Sequence, residues 1–295
     1  MGVASGSSSF TLVILAAGLG SRYEGLKQVD TFGLSGEWLM DYAIHDAWRS
    51  GFERVIVILR SEIRSEVVDH LSSRWSKEVD LEFVEQSIPG FPDRQKPWGT
   101  THAILSCRGI VSGPFLLINA DDFYGRRAYE LMADHFRNYP TEWGLVSYPL
   151  ASTLSSSGGV SRGICHVDRE SFLLGISEHE LVMRSGEEIR DASDRSLSMN
   201  APASMNFFGF TFPFFDHFLP AWEEFHKEHE GSLDAELQLP GTIHDLVRSG
   251  KVSVRVYEAP REWLGVTYRA ERDSVFKALC DQQRDGLYPI ELGSV

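Results

Sequence analysis

A glycine-rich segment with two spaced cations is the first stretch of this sequence whose residue types predict chemistry. It covers residues 15–28, LAAGLGSRYEGLKQ, and follows a continuous apolar run. Gly18 and Gly20 let the backbone approach a ligand closely, and successive N–H groups in such a loop form a concave anion site. Arg22 presents a planar fork for two phosphate oxygens, and Lys27 adds a mobile charge. The segment predicts a phosphate-binding loop; the plainer alternative is a tight turn with two solvated cations.

Two adjacent carboxylates, Asp121 and Asp122, follow a second apolar run, residues 114–118 (PFLLI). Carboxylate oxygens beside bound phosphates are the ligands that Mg²⁺ prefers. The pair predicts a magnesium site opposite the glycine-rich segment, and a turn or a helix cap is the alternative without chemistry.

The elements that must position these groups alternate along the first half of the chain. We predict strands over residues 10–16, 54–59, 81–84 and 114–118, and helices over residues 38–50, 61–76 and 99–109. Such alternation is typical of an α/β fold with a doubly wound, mostly parallel sheet, in which ligands bind at the carboxyl ends of the strands. Both motifs fall at such ends.

After residue 144 the pattern changes to shorter strands, predicted near residues 164–167, 172–176, 205–212 and 252–258. Helices are predicted over residues 214–228, 242–249 and 270–282. We expect a disordered Gly/Ser-rich tail over residues 1–9 and a single domain over residues 10–295. Its nucleotide-binding half would cover residues 10–145, and a smaller mixed acceptor-binding half residues 146–295.

Composition limits the class of protein. The 295 residues carry a formal net charge of −14, which argues against a nucleic-acid partner. The longest apolar run, residues 12–19, is too short to cross a membrane. Three widely spaced cysteines predict reduced thiols and a cytoplasmic location.

The glycine-rich segment resembles the signature of the nucleotide-sugar pyrophosphorylases, or sugar-phosphate nucleotidyltransferases, Gly-x-Gly-Ser/Thr-Arg followed by a lysine. The matching residues are Gly18, Gly20, Ser21, Arg22 and Lys27. The resemblance implies a Rossmann-like nucleotidyltransferase fold. It also implies catalytic roles for Arg22 and Lys27, nucleotide contacts from Leu15, Ala16, Ala17, Gly18, Gly20 and Ser21, and Mg²⁺ on Asp121. Leu26 replaces the family's usual proline before the lysine.

Residues 98–103, WGTTHA, resemble the stretch that lines the uracil pocket in uridylyltransferases of this family. The resemblance assigns Gly99 and Thr100 to the base, together with Gln86, which ends the third predicted strand. Thr101 replaces a glycine, so we expect a narrower pocket. UTP is therefore the favoured nucleotide.

The acceptor side matches the family through three shorter stretches, which assign Gly163, Glu178 and Asn206 to the sugar. The family's second metal ligand has no clear counterpart. Thr267, Glu262 and Asp273 are the candidates, since Gly265 offers no side chain.

The residues and the resemblance together predict a nucleotidyltransferase that uses Mg²⁺, a nucleoside triphosphate and a phosphorylated small-molecule acceptor, with a sugar 1-phosphate favoured. A cytidylyltransferase acting on phosphocholine or another alcohol phosphate is the alternative within enzymes. A non-catalytic nucleotide-sugar-binding regulator is the alternative from another class. The sequence leaves the oligomeric state open.

Overall fold

The computed structural model describes residues 10–18, 27–88, 94, 96–259 and 263–293. The strands of these residues are β1 (Phe10–Leu15), β2 (Phe52–Leu59), β3 (Asp80–Glu85), β4 (Phe115–Asn119), β5 (Asp122–Phe123), β6 (Trp143–Pro149), β7 (Val160–Val167), β8 (Leu173–Ser185), β9 (Glu188–Arg190), β10 (Ser196–Leu197), β11 (Pro202–Phe210), β12 (Val254–Glu258) and β13 (Leu264–Gly265). The α-helices are α1 (Leu39–Ser50), α2 (Arg64–Trp75), α3 (Thr100–Leu105), α4 (Arg126–Asn138), α5 (Phe214–Glu228), α6 (Leu239–Arg248) and α7 (Arg272–Arg284).

The first half forms the parallel part of the main sheet, in the order β3-β2-β1-β4. Its strands are apolar on both faces. In β1, Leu12 and Ile14 pack into a core with α1, α2, α4 and α7, while Val13 and Leu15 pack into a second core with α3, α5 and α6. Helices cover both faces of the sheet, so consecutive residues of these strands are buried on both sides. This is why the strand sequences are almost continuously apolar. The prediction of a doubly wound α/β sheet is confirmed.

The second half adds antiparallel strands to the same sheet. Strand β11 pairs with β4, β6 and β7, and β7 continues through β8 to β9 and β10. Strand β12 returns parallel to β6. The predicted mixed part is therefore continuous with the parallel part.

Sequence analysis missed α4 and β6. In α4 the buried residues Ala128, Met132 and Phe136 recur every four positions, which is the helical spacing that could have revealed it. The predicted helix over residues 99–109 ends earlier, at Leu105. The described residues contain no helix long and apolar enough to span a membrane.

Candidate functional site

The glycine-rich segment is described only at its two ends. Gly18 follows β1, and its carbonyl accepts a hydrogen bond of 2.7 Å from Nε2 of the buried Gln28. This bond ties the end of the loop to its beginning. Gly20, Ser21 and Arg22 lie outside the described residues, so their predicted roles remain predictions.

Lys27 lies beside the predicted metal carboxylate. Its ammonium group forms an ion pair with Oδ2 of Asp121, and Nζ also lies 3.5 Å from the Val266 carbonyl. Burial would lower the pKa of Lys27, but Asp121 and Asp122 outweigh that effect and raise it above its ordinary value. Lys27 is therefore a fixed positive charge at this position.

Asp122 is buried beside this ion pair. Its Oδ2 accepts hydrogen bonds from Nδ2 of Asn119 at 2.9 Å and from the Tyr124 hydroxyl at 3.3 Å. Burial and the neighbouring Asp121 raise the pKa of Asp122 to about 7. We call Lys27, Asn119, Asp121 and Asp122 the carboxylate cluster.

The segment in which the second metal ligand was predicted reaches the carboxylate cluster through a backbone pair. Strands β5 and β13 are antiparallel, with Gly265 opposite Asp122. A Cβ atom at Gly265 would collide with the Trp263 ring and lie 2.9 Å from Oδ1 of Asp122, so the glycine makes room first for the ring and then for the carboxylate. The three candidate ligands remain untested predictions. The backbone N–H of Thr267 donates to Glu271 at 2.9 Å, Asp273 is exposed and lies 3.4 Å from Arg272, and Glu262 lies outside the described residues.

A cavity of about 510 Å³ lies at the carboxyl end of β1 and the beginning of α3. The carboxylate cluster is at the same end of the sheet, after the neighbouring strand β4, but neither Lys27 nor Asp121 is among the described residues that line the cavity. The motif residues that line it are Leu15, Ala17, Gly18, Gln86, Gly99 and Thr100. Lys96, Pro97, Ala103, Glu236 and Gln238 complete the lining. The structure thus brings most of the predicted nucleotide-binding residues to one cavity, with Ala16 buried beneath it in the core.

Gln86 and Thr100 offer one acceptor and one donor at this cavity. Nε2 of Gln86 lies 3.3 Å from the Gly99 carbonyl and 3.4 Å from Nδ1 of His102. Its amide oxygen accepts no hydrogen bond from the described residues. The Thr100 N–H, at the start of α3, likewise has no acceptor among them. Burial is the main reason that the pKa of His102 is lowered to about 4, so this imidazole is neutral near pH 7.

Gly99 and Thr101 serve packing that the sequence alone did not suggest. Gly99 has φ +94°, and a Cβ atom there would lie 2.5 Å from the Leu237 carbonyl oxygen. The Thr101 side chain is buried against α6, with Oγ1 3.0 Å from that of Thr242. It therefore does not narrow the cavity, and the expectation that it would was wrong.

The predicted acceptor residues lie on β7, β8 and β11. Gly163 faces Glu178 across the β7–β8 pair, where a Cβ atom would lie 2.9 Å from Oε1 of Glu178. Partial desolvation raises the pKa of Glu178. Asn206 has φ +60° and donates through Nδ2 to Oδ1 of Asn119 at 3.2 Å, which joins it to the carboxylate cluster.

Arg162 is a residue that the sequence analysis missed. Its guanidinium is buried, donates to the carbonyls of Thr153 and Ser161, and lies 5.4 Å from the Trp263 ring centroid. Its positive charge lowers the pKa values of Lys27, Asp122 and Glu178, so it influences both the carboxylate cluster and a predicted acceptor residue. Its place directly before Gly163 was the available signal.

A family model described as nucleotidyl transferase matches residues 11–159, half of the chain. The chain belongs to the nucleotidyl transferase family. No curated protein sequence matches this nucleotidyl transferase.

Solved structures with the same fold cover nearly the whole nucleotidyl transferase chain. The inositol-1-phosphate CTP transferase from T. maritima has a TM-score of 0.60 at 15% identity, and covers 91% of this chain and 94% of its own. A Bacillus anthracis protein described as a glucose-1-phosphate thymidylyltransferase, in complex with sucrose, has a TM-score of 0.64 at 14% identity, with 92% and 96% covered. Identities this low show the fold. The family assignment makes the chain an enzyme that transfers nucleotidyl groups, as the sequence analysis predicted.

Proposed function

We propose that this enzyme transfers a nucleoside monophosphate from a nucleoside triphosphate, with UTP favoured, to a sugar 1-phosphate and releases pyrophosphate. The observation that carries the proposal is that two features lie at the carboxyl ends of the neighbouring strands β1 and β4. One is the ion pair of Lys27 with Asp121, and the other is the cavity lined by Gln86, Gly99 and Thr100. Two motifs far apart in sequence thus supply charge for phosphates and a lined space for a nucleoside.

The reaction is an in-line displacement at the α-phosphorus. An oxygen of the acceptor phosphate forms a new P–O bond while the bond to the oxygen bridging the α- and β-phosphates breaks, and its electron pair leaves with pyrophosphate. The acceptor is already an anion, so no base needs to remove a proton. Catalysis then consists of positioning and of neutralising charge. Lys27 stabilises the charge on the α-phosphoryl oxygens, and Arg22 is assigned to the departing pyrophosphate.

The carboxylate cluster suits Mg²⁺ by its chemistry. Asp121 presents a carboxylate, and Oδ1 of Asp122 accepts no hydrogen bond from the described residues. These are hard oxygen donors, and Mg²⁺ keeps several waters when few carboxylates bind it. We assign Asp121 as the principal ligand. The bound ion would neutralise phosphate charge. The described residues contain no group of three or more His, Cys, Asp or Glu side chains that could hold a metal.

The polar groups of the cavity support the proposed preference for UTP. Uracil presents a carbonyl at C4 and an N3–H donor, whereas cytosine presents an amine and an acceptor at the same positions. A backbone N–H at Thr100 and the free amide oxygen of Gln86 complement uracil. A mismatched buried pair costs roughly 1–3 kcal/mol, about ten- to a hundredfold in selectivity.

The acceptor half is assigned to the sugar phosphate. We propose that its hydroxyls bind to the Gly163 backbone, Glu178 and Asn206. The positive charge of Arg162 acts on both Lys27 and Glu178. We place the whole site in one domain, residues 10–295, of a cytoplasmic enzyme.

The test is release of pyrophosphate in a screen of UTP, CTP, dTTP and GTP against sugar 1-phosphates and alcohol phosphates with Mg²⁺. We expect UTP with a sugar 1-phosphate to give the highest turnover. CTP binding about tenfold tighter than UTP in calorimetric titration, with turnover on an alcohol phosphate, would replace the proposal with a cytidylyltransferase. Nucleotide-sugar binding without pyrophosphate release from any pair would indicate a regulator.

A further inference from the structure

The cavity has a wall that comes from the second half of the chain. The segment from Ser232 to Gln238 connects α5 to α6 and places Glu236 and Gln238 in the cavity lining. It is joined to the WGTTHA stretch by backbone hydrogen bonds on both sides of Leu237: its N–H donates to Trp98 at 2.9 Å, and its carbonyl accepts from Thr101 at 3.1 Å.

Arg94 holds this segment in place. It is buried, and its guanidinium donates to the carbonyls of Ser232 at 2.8 Å, Ala235 at 2.6 Å and Pro97 at 3.1 Å. The same group stacks on the buried Trp98, 3.5 Å from the ring centroid. Because two of its three carbonyl partners lie on the segment and the third lies beside Trp98, Arg94 fixes the distance between the two walls.

Glu236 is the charged group that this segment brings to the cavity. One carboxylate oxygen lies 3.0 Å from Nζ of Lys96, and the other accepts from Nε2 of Gln238. An ionised carboxylate accepts several hydrogen bonds, so its two oxygens retain lone pairs for further donors. A negative group repels phosphates, so the part of a triphosphate that suits it is the nucleoside, which carries N–H and hydroxyl donors.

We propose that Glu236, held in place by Arg94, accepts a hydrogen bond from the nucleoside of the bound triphosphate. Arg94 is then a positioning residue, and Glu236 determines nucleotide affinity. This inference rests on the proposed function, since it needs a triphosphate in the cavity.

The experiment compares Glu236→Ala with Glu230→Ala in calorimetric titration of UTP and in steady-state kinetics. Glu230 is a matched control because it lies near the same segment, is exposed, and does not line the cavity. We expect Glu236→Ala to raise the Kd and KM of the triphosphate about tenfold, while kcat and the acceptor KM stay within about threefold. Glu230→Ala should leave all four within about twofold.

Titration of 2′-deoxy-UTP distinguishes the two possible donors. A ribose hydroxyl as the donor predicts that Glu236→Ala no longer weakens binding of the deoxynucleotide, whereas a base N–H predicts the same loss for both nucleotides. Either result supports the inference.

Arg94→Ala should raise the triphosphate KM at least as much as Glu236→Ala does, with Arg94→Lys restoring part of the loss. Should Arg94→Ala not fold in a thermal denaturation control, Glu236→Ala decides alone. A triphosphate Kd within about twofold of wild type in Glu236→Ala overturns the inference and leaves the proposed function standing. Wild-type protein that binds none of the triphosphates overturns both.

Discussion

In the carboxylate cluster, Asn119, Asp121 and Asp122 lie within four consecutive residues at the end of one strand, and Lys27 reaches them from the loop after the neighbouring strand. The cavity is assembled differently. Its wall at Gly99 and Thr100 packs against the backbone of Leu237, which is far along the chain. This close packing is possible only because Gly99 has no side chain. Three of the four cluster residues therefore come from one short stretch of the chain, whereas the cavity wall depends on packing between distant segments. The two regions should consequently fail in different ways when they are mutated.

Asp121→Asn should cause the largest loss of turnover. The change keeps the size of the side chain but removes the charge that the proposed metal site needs, so we expect Mg²⁺-dependent pyrophosphate release to fall on the order of 10³-fold or more. Initial rates across a Mg²⁺ titration measure it. Asp122→Asn is the comparison, and equal losses from both would show that the two carboxylates act as one unit; full activity of the Asp121 variant would remove it from the site.

Lys27→Ala should lower kcat on the order of 10²–10³-fold, the scale for one preorganised charge in a transition state. Lys96→Ala removes a lysine that lines the cavity. We expect this substitution to change the triphosphate KM more than kcat. Single-turnover kinetics of both variants sharpen the comparison between the two regions. A kcat within about threefold of wild type in Lys27→Ala would contradict the assigned role.

Gly99→Ala should damage the cavity through packing. Its Cβ atom would collide with the Leu237 backbone at a position of positive φ, so we expect a loss of about 1–3 kcal/mol in the free energy of unfolding. We also expect roughly tenfold weaker triphosphate binding. Gly109→Ala is the matched control, because Gly109 has φ +82° with nothing within 4 Å of the added atom. Equal effects of the two substitutions would show that backbone strain alone is responsible.

His102→Gln should have the smallest effect, and only at acid pH. The pKa of His102 is about 4 in the folded protein and lies near 6.5 in an unfolded chain. The unfolded state therefore binds the proton first, and the wild type loses stability from this group as pH falls from 6.5 to 4. Removing the titration should make the variant less acid-sensitive, by about 1–3 kcal/mol at pH 4. Urea unfolding at several pH values tests this, with His166→Gln at an exposed ring as control; parallel pH curves for wild type and His102→Gln would contradict it.

The same contrast explains what could be predicted from the sequence. The apolar runs of β1 and β4 predicted buried strands of a mostly parallel sheet, and that fold class is confirmed. The structure adds that the two strands are neighbours. The cavity residues Gln86 and Thr100 were also named in advance, through the resemblance to the family. By contrast, Glu236 and Arg94 carry no motif, because their roles depend on a segment that meets residues 94–101 only after the chain has folded.

Strand β11 pairs with three strands, and the pairing of β12 with β6 joins residues more than a hundred positions apart. A ribosome releases the chain from its N-terminus, so the carboxylates of Asp121 and Asp122 emerge well before Leu237 and Val266. Domains generally fold as units, and distant strand pairs form slowly because long loops must close first. When synthesis has reached α4, the strand β11 that pairs with one edge of β4 in the complete chain has not yet been made. An open strand edge of this kind is a template for wrong strand pairing until β11 covers it.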